Sequence, residues 1–85
     1  DVSEQVLSYY YSSFEYYSQK NYHKAIDVLQ RAVTLNPYLP QLYTRLGSIY
    51  YELDLKDMAK VQWEKAIELD PDNSEVKRFL KTLDT

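Results

Sequence analysis

The chain holds no cysteine, one glycine, one histidine and one tryptophan among its 85 residues. Each shortage excludes a class of chemistry. Without cysteine there is no disulfide framework and no thiolate metal site, and such a chain folds in any redox environment. A single glycine, Gly47, cannot build a Gly-rich phosphate loop or a nucleotide-binding turn. His23 is the only side chain titrating near neutral pH. It has no second histidine or cysteine with which to hold zinc, and it reads as a surface residue. Positive charge is short as well: the formal net charge of -3 and the pI near 5.0 argue against a nucleic-acid-binding face. No apolar run reaches the roughly 18–20 residues of a membrane span, so direct membrane insertion is not expected. No signal peptide is visible, because no Lys or Arg precedes Lys20 and no apolar block follows the first residues. Asp1 opens the chain where Met would be expected, which reads as a segment of a longer protein with its targeting information elsewhere. The expectation is a soluble segment, with the cytoplasm as the default compartment.

Tyrosine is what the chain has in excess. There are ten, where average usage would give about 3. All ten lie at or before Tyr51, whereas charge runs the other way: nine charged side chains in residues 1–53 and fourteen in 54–85. One end is aromatic and lightly charged, and the other carries a well-solvated surface.

Shifting the sequence by 34 residues matches it to itself without a gap. Tyr9 falls on Tyr43, Tyr16 on Tyr50 and Tyr17 on Tyr51. Ala25 falls on Ala59, Ala32 on Ala66, Leu35 on Leu69 and Pro37 on Pro71. The chain therefore contains two copies of one unit, residues 6–39 and 40–73, followed by a terminal segment 74–85. They are expected to form a single domain.

Each unit reads as two helices. In the first, helices are predicted over about 4–18, capped by Ser3, and over 22–35, where Ala25, Ile26, Leu29, Ala32 and Val33 recur at helical spacing. Asn36-Pro37 ends the second, because a residue before proline avoids the helical region. The other unit repeats this over 40–52 and 56–69, with Pro40 suited to a first helical turn and Asp70-Pro71 as the stop. Ser74 to Leu83 reads as a fifth helix with Val76, Phe79, Leu80 and Leu83 as its apolar stripe, and Asp72 or Asn73 as its cap. Linkers of three to four residues force neighbouring helices to run antiparallel. The fold class is all-α, built from helix–turn–helix repeats that stack as a solenoid. The four repeat alanines and Gly47 thin the helices where two of them approach closely.

The period and these residues resemble the tetratricopeptide repeat family. Tyr43, Leu46, Gly47, Tyr50, Ala59, Trp63, Ala66 and Pro71 match its pattern throughout the second unit. In the first unit Tyr9, Tyr16, Ala25, Leu29, Ala32 and Pro37 match, whereas Ser12 and Ser13 stand where the family has Leu-Gly. That departure predicts looser packing or a modified groove in the first hairpin. The resemblance covers residues 6–73 and implies a terminal capping helix after them, and a right-handed superhelical segment. It also sorts the tyrosines. Tyr9, Tyr16, Tyr22, Tyr43 and Tyr50 take packing positions, where aromatic bodies are buried between helices.

First helices in this family line a concave groove. Carried onto this chain, the groove positions are Leu7, Tyr10, Phe14, Tyr17 and Ser18 in the first unit. Tyr38 and Leu39 stand at the junction, and Gln41, Thr44, Ser48, Tyr51 and Glu52 in the second unit. Helical spacing independently places Leu7, Tyr10, Phe14 and Tyr17 on one stripe, away from Tyr9 and Tyr16. One helix thus carries two apolar faces, and only one of them can pack on its hairpin partner. The other is expected to bind a peptide or partner helix, or else to be covered by neighbouring repeats or by a second copy, giving a homo-oligomer. Arg45 and Arg78 are candidates to contact acidic ligand groups. The subclass that grips a terminal carboxylate uses Lys and Asn where this chain has Tyr10 and Phe14, so an apolar or aromatic-bearing peptide is the expected ligand. No catalytic arrangement is visible: Ser12 and Ser13 lie inside a helix without the flanking glycines of a nucleophile elbow, and the acidic cluster around Asp70 and Asp72 lacks calcium-loop spacing. The reading is a protein–protein interaction module, not an enzyme, with no cofactor and no metal.

Overall fold

Proline and the residue before it set the end of one helix in each repeat and the start of another. The structure, a computed structural model, describes residues 1–84. Thr85, the last residue of the expected terminal segment, lies outside the described residues. Five helices follow one another: α1 (Val2–Ser18), α2 (Tyr22–Leu35), α3 (Pro40–Glu52), α4 (Lys56–Leu69) and α5 (Ser74–Leu83). No strand occurs among the described residues, and the fold is all-α helix–turn–helix. Asn36 and Asp70 leave α2 and α4 with φ of -148° and -140°, the extended backbone that a following proline imposes. Pro40 opens α3 at its first position, where no N–H is needed.

The start of α1 differs from expectation. The helix begins at Val2, and its cap is Asp1, whose carboxylate accepts from the Ser3 N–H at 2.9 Å. Ser3 is therefore inside the helix rather than at its boundary. A carboxylate at the positive end of the helix dipole outcompetes a hydroxyl two residues later. At α5, Asn73 is the capping side chain and accepts from the Val76 N–H at 3.1 Å.

The chain divides into two compact units, Asp1–Tyr38 and Leu39 onward. In the first, α1 packs on α2, with Val6, Ser13, Ala25, Leu29 and Ala32 buried. In the second, α3 packs on α4 and α4 on α5, with Leu46, Ile49, Ala59, Trp63, Ala66 and Val76 buried. Trp63 is the hub there. Its ring lies 5.9 Å from Tyr51 and 5.0 Å from Phe79, and its indole N–H donates to the Thr44 carbonyl at 3.2 Å.

Gly47 is required by that indole. A Cβ built on Gly47 would collide with Nε1, Cδ1 and Cε2 of the Trp63 ring. The corresponding pair in the first unit is Ser13 and Leu29, both with 0% exposure. Relative to Gly47 and Trp63, the residue on the first helix is larger (Ser13) and the one on the second helix smaller (Leu29), so volume is divided differently across the helix–helix contact. The Ser13 hydroxyl donates to the Tyr10 carbonyl, which leaves no unsatisfied group in the apolar contact. Looser packing at Ser13 is therefore not what the structure holds; the contact is filled by another division of volume.

The two hairpin turns are built alike. Asn21 N–H donates to the Tyr16 carbonyl at 2.8 Å and Lys20 N–H to Tyr17 at 2.9 Å. In the second unit Leu55 N–H donates to Tyr50 at 2.9 Å and Asp54 N–H to Tyr51 at 3.0 Å. These are the paired bonds of a Schellman motif. Each places a non-glycine residue in the left-handed region, Lys20 at φ 59° and Asp54 at φ 60°.

Packing and turn each lead to a prediction. Gly47→Ala is expected to lower unfolding stability by about 1–3 kcal/mol, outweighing the gain of ~1 kcal/mol in helix propensity, as read in denaturant titrations. Leu29→Trp is expected to destabilise the chain strongly alone and less when combined with Ser13→Gly, with a coupling of at least about 0.5 kcal/mol in the double-mutant cycle. Additive losses would refute this division of volume. Lys20→Gly and Asp54→Gly are each expected to stabilise by up to about 1 kcal/mol, because a left-handed backbone is free of Cβ strain only in glycine.

Candidate functional site

The outward face of α1 follows from which residues its partner helix covers. Val6 and Ser13 point into α2 and are buried. At 100° per residue, Tyr11 falls within about 30° of the opposite side of the helix, while Leu7 and Phe14, and below them Tyr10 and Tyr17, run along the flank between that side and the buried one. Leu7 is 51% exposed, Tyr11 64% and Phe14 40%, while Tyr10 and Tyr17 are half-buried. Tyr10 and Phe14 meet edge to face with centroids 5.0 Å apart, and Tyr11 leans on Tyr10 at 5.7 Å. These contacts hold the rings in fixed orientations while leaving much of their area in water. Tyr17 has a different anchor, the Tyr22 ring at 5.6 Å across the α1–α2 turn. Ser18 closes the stripe, its hydroxyl donating to the Glu15 carbonyl.

The corresponding positions of the second unit lie along α3. Gln41 and Tyr51 are exposed, and Thr44, Arg45 and Ser48 are half-buried. The 34-residue register pairs Leu7 with Gln41, Tyr10 with Thr44, Phe14 with Ser48 and Tyr17 with Tyr51. Three apolar side chains of the first unit are thus replaced by small or polar ones in the second. The Thr44 hydroxyl donates to the Pro40 carbonyl at 3.1 Å and its own carbonyl receives the Trp63 indole, so Thr44 supports α4 as well as standing on the candidate face. Tyr51 is likewise tied to Trp63. The structure brings Leu7, Tyr10, Phe14 and Tyr17 together within one unit, and Gln41, Thr44, Ser48 and Tyr51 within the other. Tyr38 is 75% exposed in the turn after α2, its N–H held by Asn36 Oδ1 at 3.1 Å. Leu39 precedes Pro40 as the first residue of the second unit and is half-buried. Arg78 is exposed on α5.

The tyrosines expected in the packing do not behave uniformly. Tyr43 and Tyr50 are buried at 7% exposure each. Tyr9, Tyr16 and Tyr22 are half-buried, where the expectation was rings between helices with their hydroxyls reaching an edge. Their rings are partly covered by charged neighbours. Lys24 lies 5.8 Å over the Tyr16 ring. The Tyr9 phenol, and after it the Asp27 carboxylate, hold Arg31 further toward its charged form.

Two open hollows were not legible in the sequence. One, of about 230 Å³, is lined by Gln5, Tyr9, Arg31, Thr34 and Leu35. The other, of about 370 Å³, is lined by Tyr43, Val61, Gln62, Glu64, Lys65 and Glu68. Tyr9 with Tyr43, Arg31 with Lys65 and Thr34 with Glu68 share repeat positions, which was the available signal. Among the described residues no cluster of three or more His, Cys, Asp or Glu could hold a metal ion, and no helix is long and apolar enough to cross a membrane.

Comparison with known proteins adds the following. A family model described as TPR repeat matches residues 15–54, and one described as tetratricopeptide repeat matches residues 40–73. The chain is similar to the meiotically up-regulated gene 93 protein of Schizosaccharomyces pombe, 32% identical over 72 residues that make up 85% of this chain and 19% of that protein. It is also similar to tetratricopeptide repeat protein 1 of the same organism, 32% identical over 65 residues, 75% of this chain and 6% of that one. The chain therefore spans less than a fifth of the length of these relatives. Among solved structures, the first TPR of Spaghetti (RPAP3) bound to the HSP90 peptide SRMEEVD has the same fold, with a TM-score of 0.58, 22% identity, and coverage of 96% of this chain and 92% of that one.

The difference between outward stripe and inner packing can be measured. Leu7→Ala and Phe14→Ala are each expected to cost at most about 1.5 kcal/mol of stability, whereas Tyr43→Ala should cost about 3–5 kcal/mol. Equal losses in thermal unfolding would mean that the stripe belongs to the core.

Proposed function

This chain belongs to the tetratricopeptide repeat family, and from that premise we propose that it is a protein–protein interaction module whose first helices dock a peptide or a partner helix. The observation that carries the reading is the outward stripe of α1. Leu7 and Phe14 stay substantially exposed while Ser13 and Val6 of the same helix are fully or almost fully buried. An exposed apolar face of this kind supports a docking reading, and rigid aromatic rings are effective anchors for a partner. We read the chain as two repeats, 6–39 and 40–73, with a terminal helix after them, and α1 and α3 as carrying equivalent positions, each in its own unit. In that reading Tyr10, Phe14, Tyr17 and Tyr51 supply contact area, and Gln41, Thr44 and Arg45 orient the partner. Tyr38 and Leu39 lie at the junction. The role is binding rather than catalysis.

The RPAP3 module is bound to an HSP90 peptide, SRMEEVD, which supports a peptide as the kind of partner. The ligand of this chain is expected to differ, because Tyr10 and Phe14 offer no charge to a terminal carboxylate. A second reading places another copy of the chain, or neighbouring repeats of a longer array, on the same stripe. The exposed Leu7 and Phe14 favour it equally.

The double substitution Tyr10→Ala with Phe14→Ala is expected to weaken partner binding by at least about thirtyfold in affinity, as two anchors of about 1–2 kcal/mol each are lost, with helicity by circular dichroism unchanged. Loss of helicity would place the stripe in the core and end the docking reading. Light scattering during size exclusion separates the two occupants. A species that dissociates on dilution supports self-association, and a monomer at high micromolar concentration removes it.

A further inference from the structure

The outward face of α1 is acidic as well as aromatic. Glu4 and Glu15 are exposed and stand one helical turn from the apolar stripe. Glu4 is three residues from Leu7, and Glu15 four residues from Tyr11. Asp1 caps the same helix. No Lys, Arg or His occurs between residue 1 and residue 19. Of the Lys and Arg side chains of this unit, Lys24 covers the Tyr16 ring, Arg31 is held by Tyr9 and Asp27, and Lys20 stands beyond the end of α1 in the turn to α2. Tyr9 and Tyr16 lie on the other side of α1 from Tyr11, so neither Lys24 nor Arg31 neutralises the outward face.

Resting on the docking reading above, we infer that the partner of this face is a basic amphipathic segment, with Arg or Lys interleaved among apolar side chains. Its apolar residues cover Leu7 and Phe14. Its cations sit over the exposed Tyr11 and Phe14 rings, where the ring quadrupole attracts them, and beside Glu4 and Glu15. Arginine suits both contacts, because its planar guanidinium stacks on a ring while its N–H groups reach a carboxylate. A second copy of α1 is the wrong occupant. It would bring two sets of Glu4 and Glu15 together with no cation between them, which electrostatic complementarity disfavours. An acidic peptide meets the same repulsion.

Three labelled synthetic peptides test this by fluorescence anisotropy on the intact chain. Each is an amphipathic helix with the same leucines; one carries arginines beside them, one glutamines and one glutamates. The arginine peptide is expected to bind and to weaken as salt rises. The glutamine peptide should bind at least about tenfold more weakly, and the glutamate peptide more weakly still. Glu4→Gln and Glu15→Gln should each reduce arginine-peptide affinity by about two- to fivefold, the range of exposed charge pairs. Asp57→Asn and Glu64→Gln on α4 remove the same charge from the other unit and should leave affinity unchanged. Equal binding of the arginine and glutamine peptides would overturn the basic partner while keeping the docking stripe. Equal losses from the α4 substitutions would also overturn it, by reducing the effect to net charge. If none of the three binds and the light-scattering profile shows self-association, the docking reading fails with it.

Discussion

The close approach of two helices within each hairpin is the constraint on which the rest depends. The axes of two packed helices come closest where one of the facing side chains is small. In the second unit that residue is Gly47, and the space it leaves is taken by the Trp63 indole. Once the indole is there, Tyr51 and Phe79 pack on its flanks and its N–H finds the Thr44 carbonyl. A single missing Cβ thus positions three aromatic rings drawn from three helices. The first unit meets the same constraint with serine and leucine, and the outcome there is a plainer contact with no aromatic hub.

That difference bears on where the aromatic residues go. In the second unit Tyr43 and Tyr50 are absorbed into the core and few rings remain outside. In the first, where Leu29 stands in place of an indole, Tyr9 and Tyr16 of α1 are only half covered, and Tyr10 packs against both Tyr11 and Phe14 on the same helix. Ring-on-ring contact along a helix surface fixes geometry without removing the rings from water. A surface so arranged is ready to receive a partner with little loss of side-chain entropy.

Much of this was legible in the sequence, for identifiable reasons. The boundaries of α2, α3, α4 and α5 follow from Asn36-Pro37, Pro40, Asp70-Pro71 and Asn73-Ser74, where proline geometry or an amide cap acts locally. The apolar stripe on α1 follows from helical spacing alone. What escaped was decided by tertiary packing or by competition between equivalent local signals. Asp1 and Ser3 are both good caps, and electrostatics selected the former. The left-handed residues Lys20 and Asp54 carry no glycine to announce them, and the Schellman bonds around them come from the antiparallel return of the chain. The burial of Ser13 depended on the size of Leu29, sixteen positions away, which no local pattern records. The hollows beside Tyr9 and Tyr43 likewise depend on side chains of two helices at once.

The single tryptophan has a further consequence. Trp63 is buried at 3% exposure and belongs wholly to the second unit, while seven of the ten tyrosines belong to the first. The two halves of the chain are therefore optically distinct without any label. Indole emission follows the melting of α3, α4 and α5, and tyrosine absorbance is weighted toward α1 and α2. If one hairpin opens before the other, the two signals will part company. The same residue that locks the second hairpin thus makes the cooperativity between the hairpins an observable property of the natural sequence.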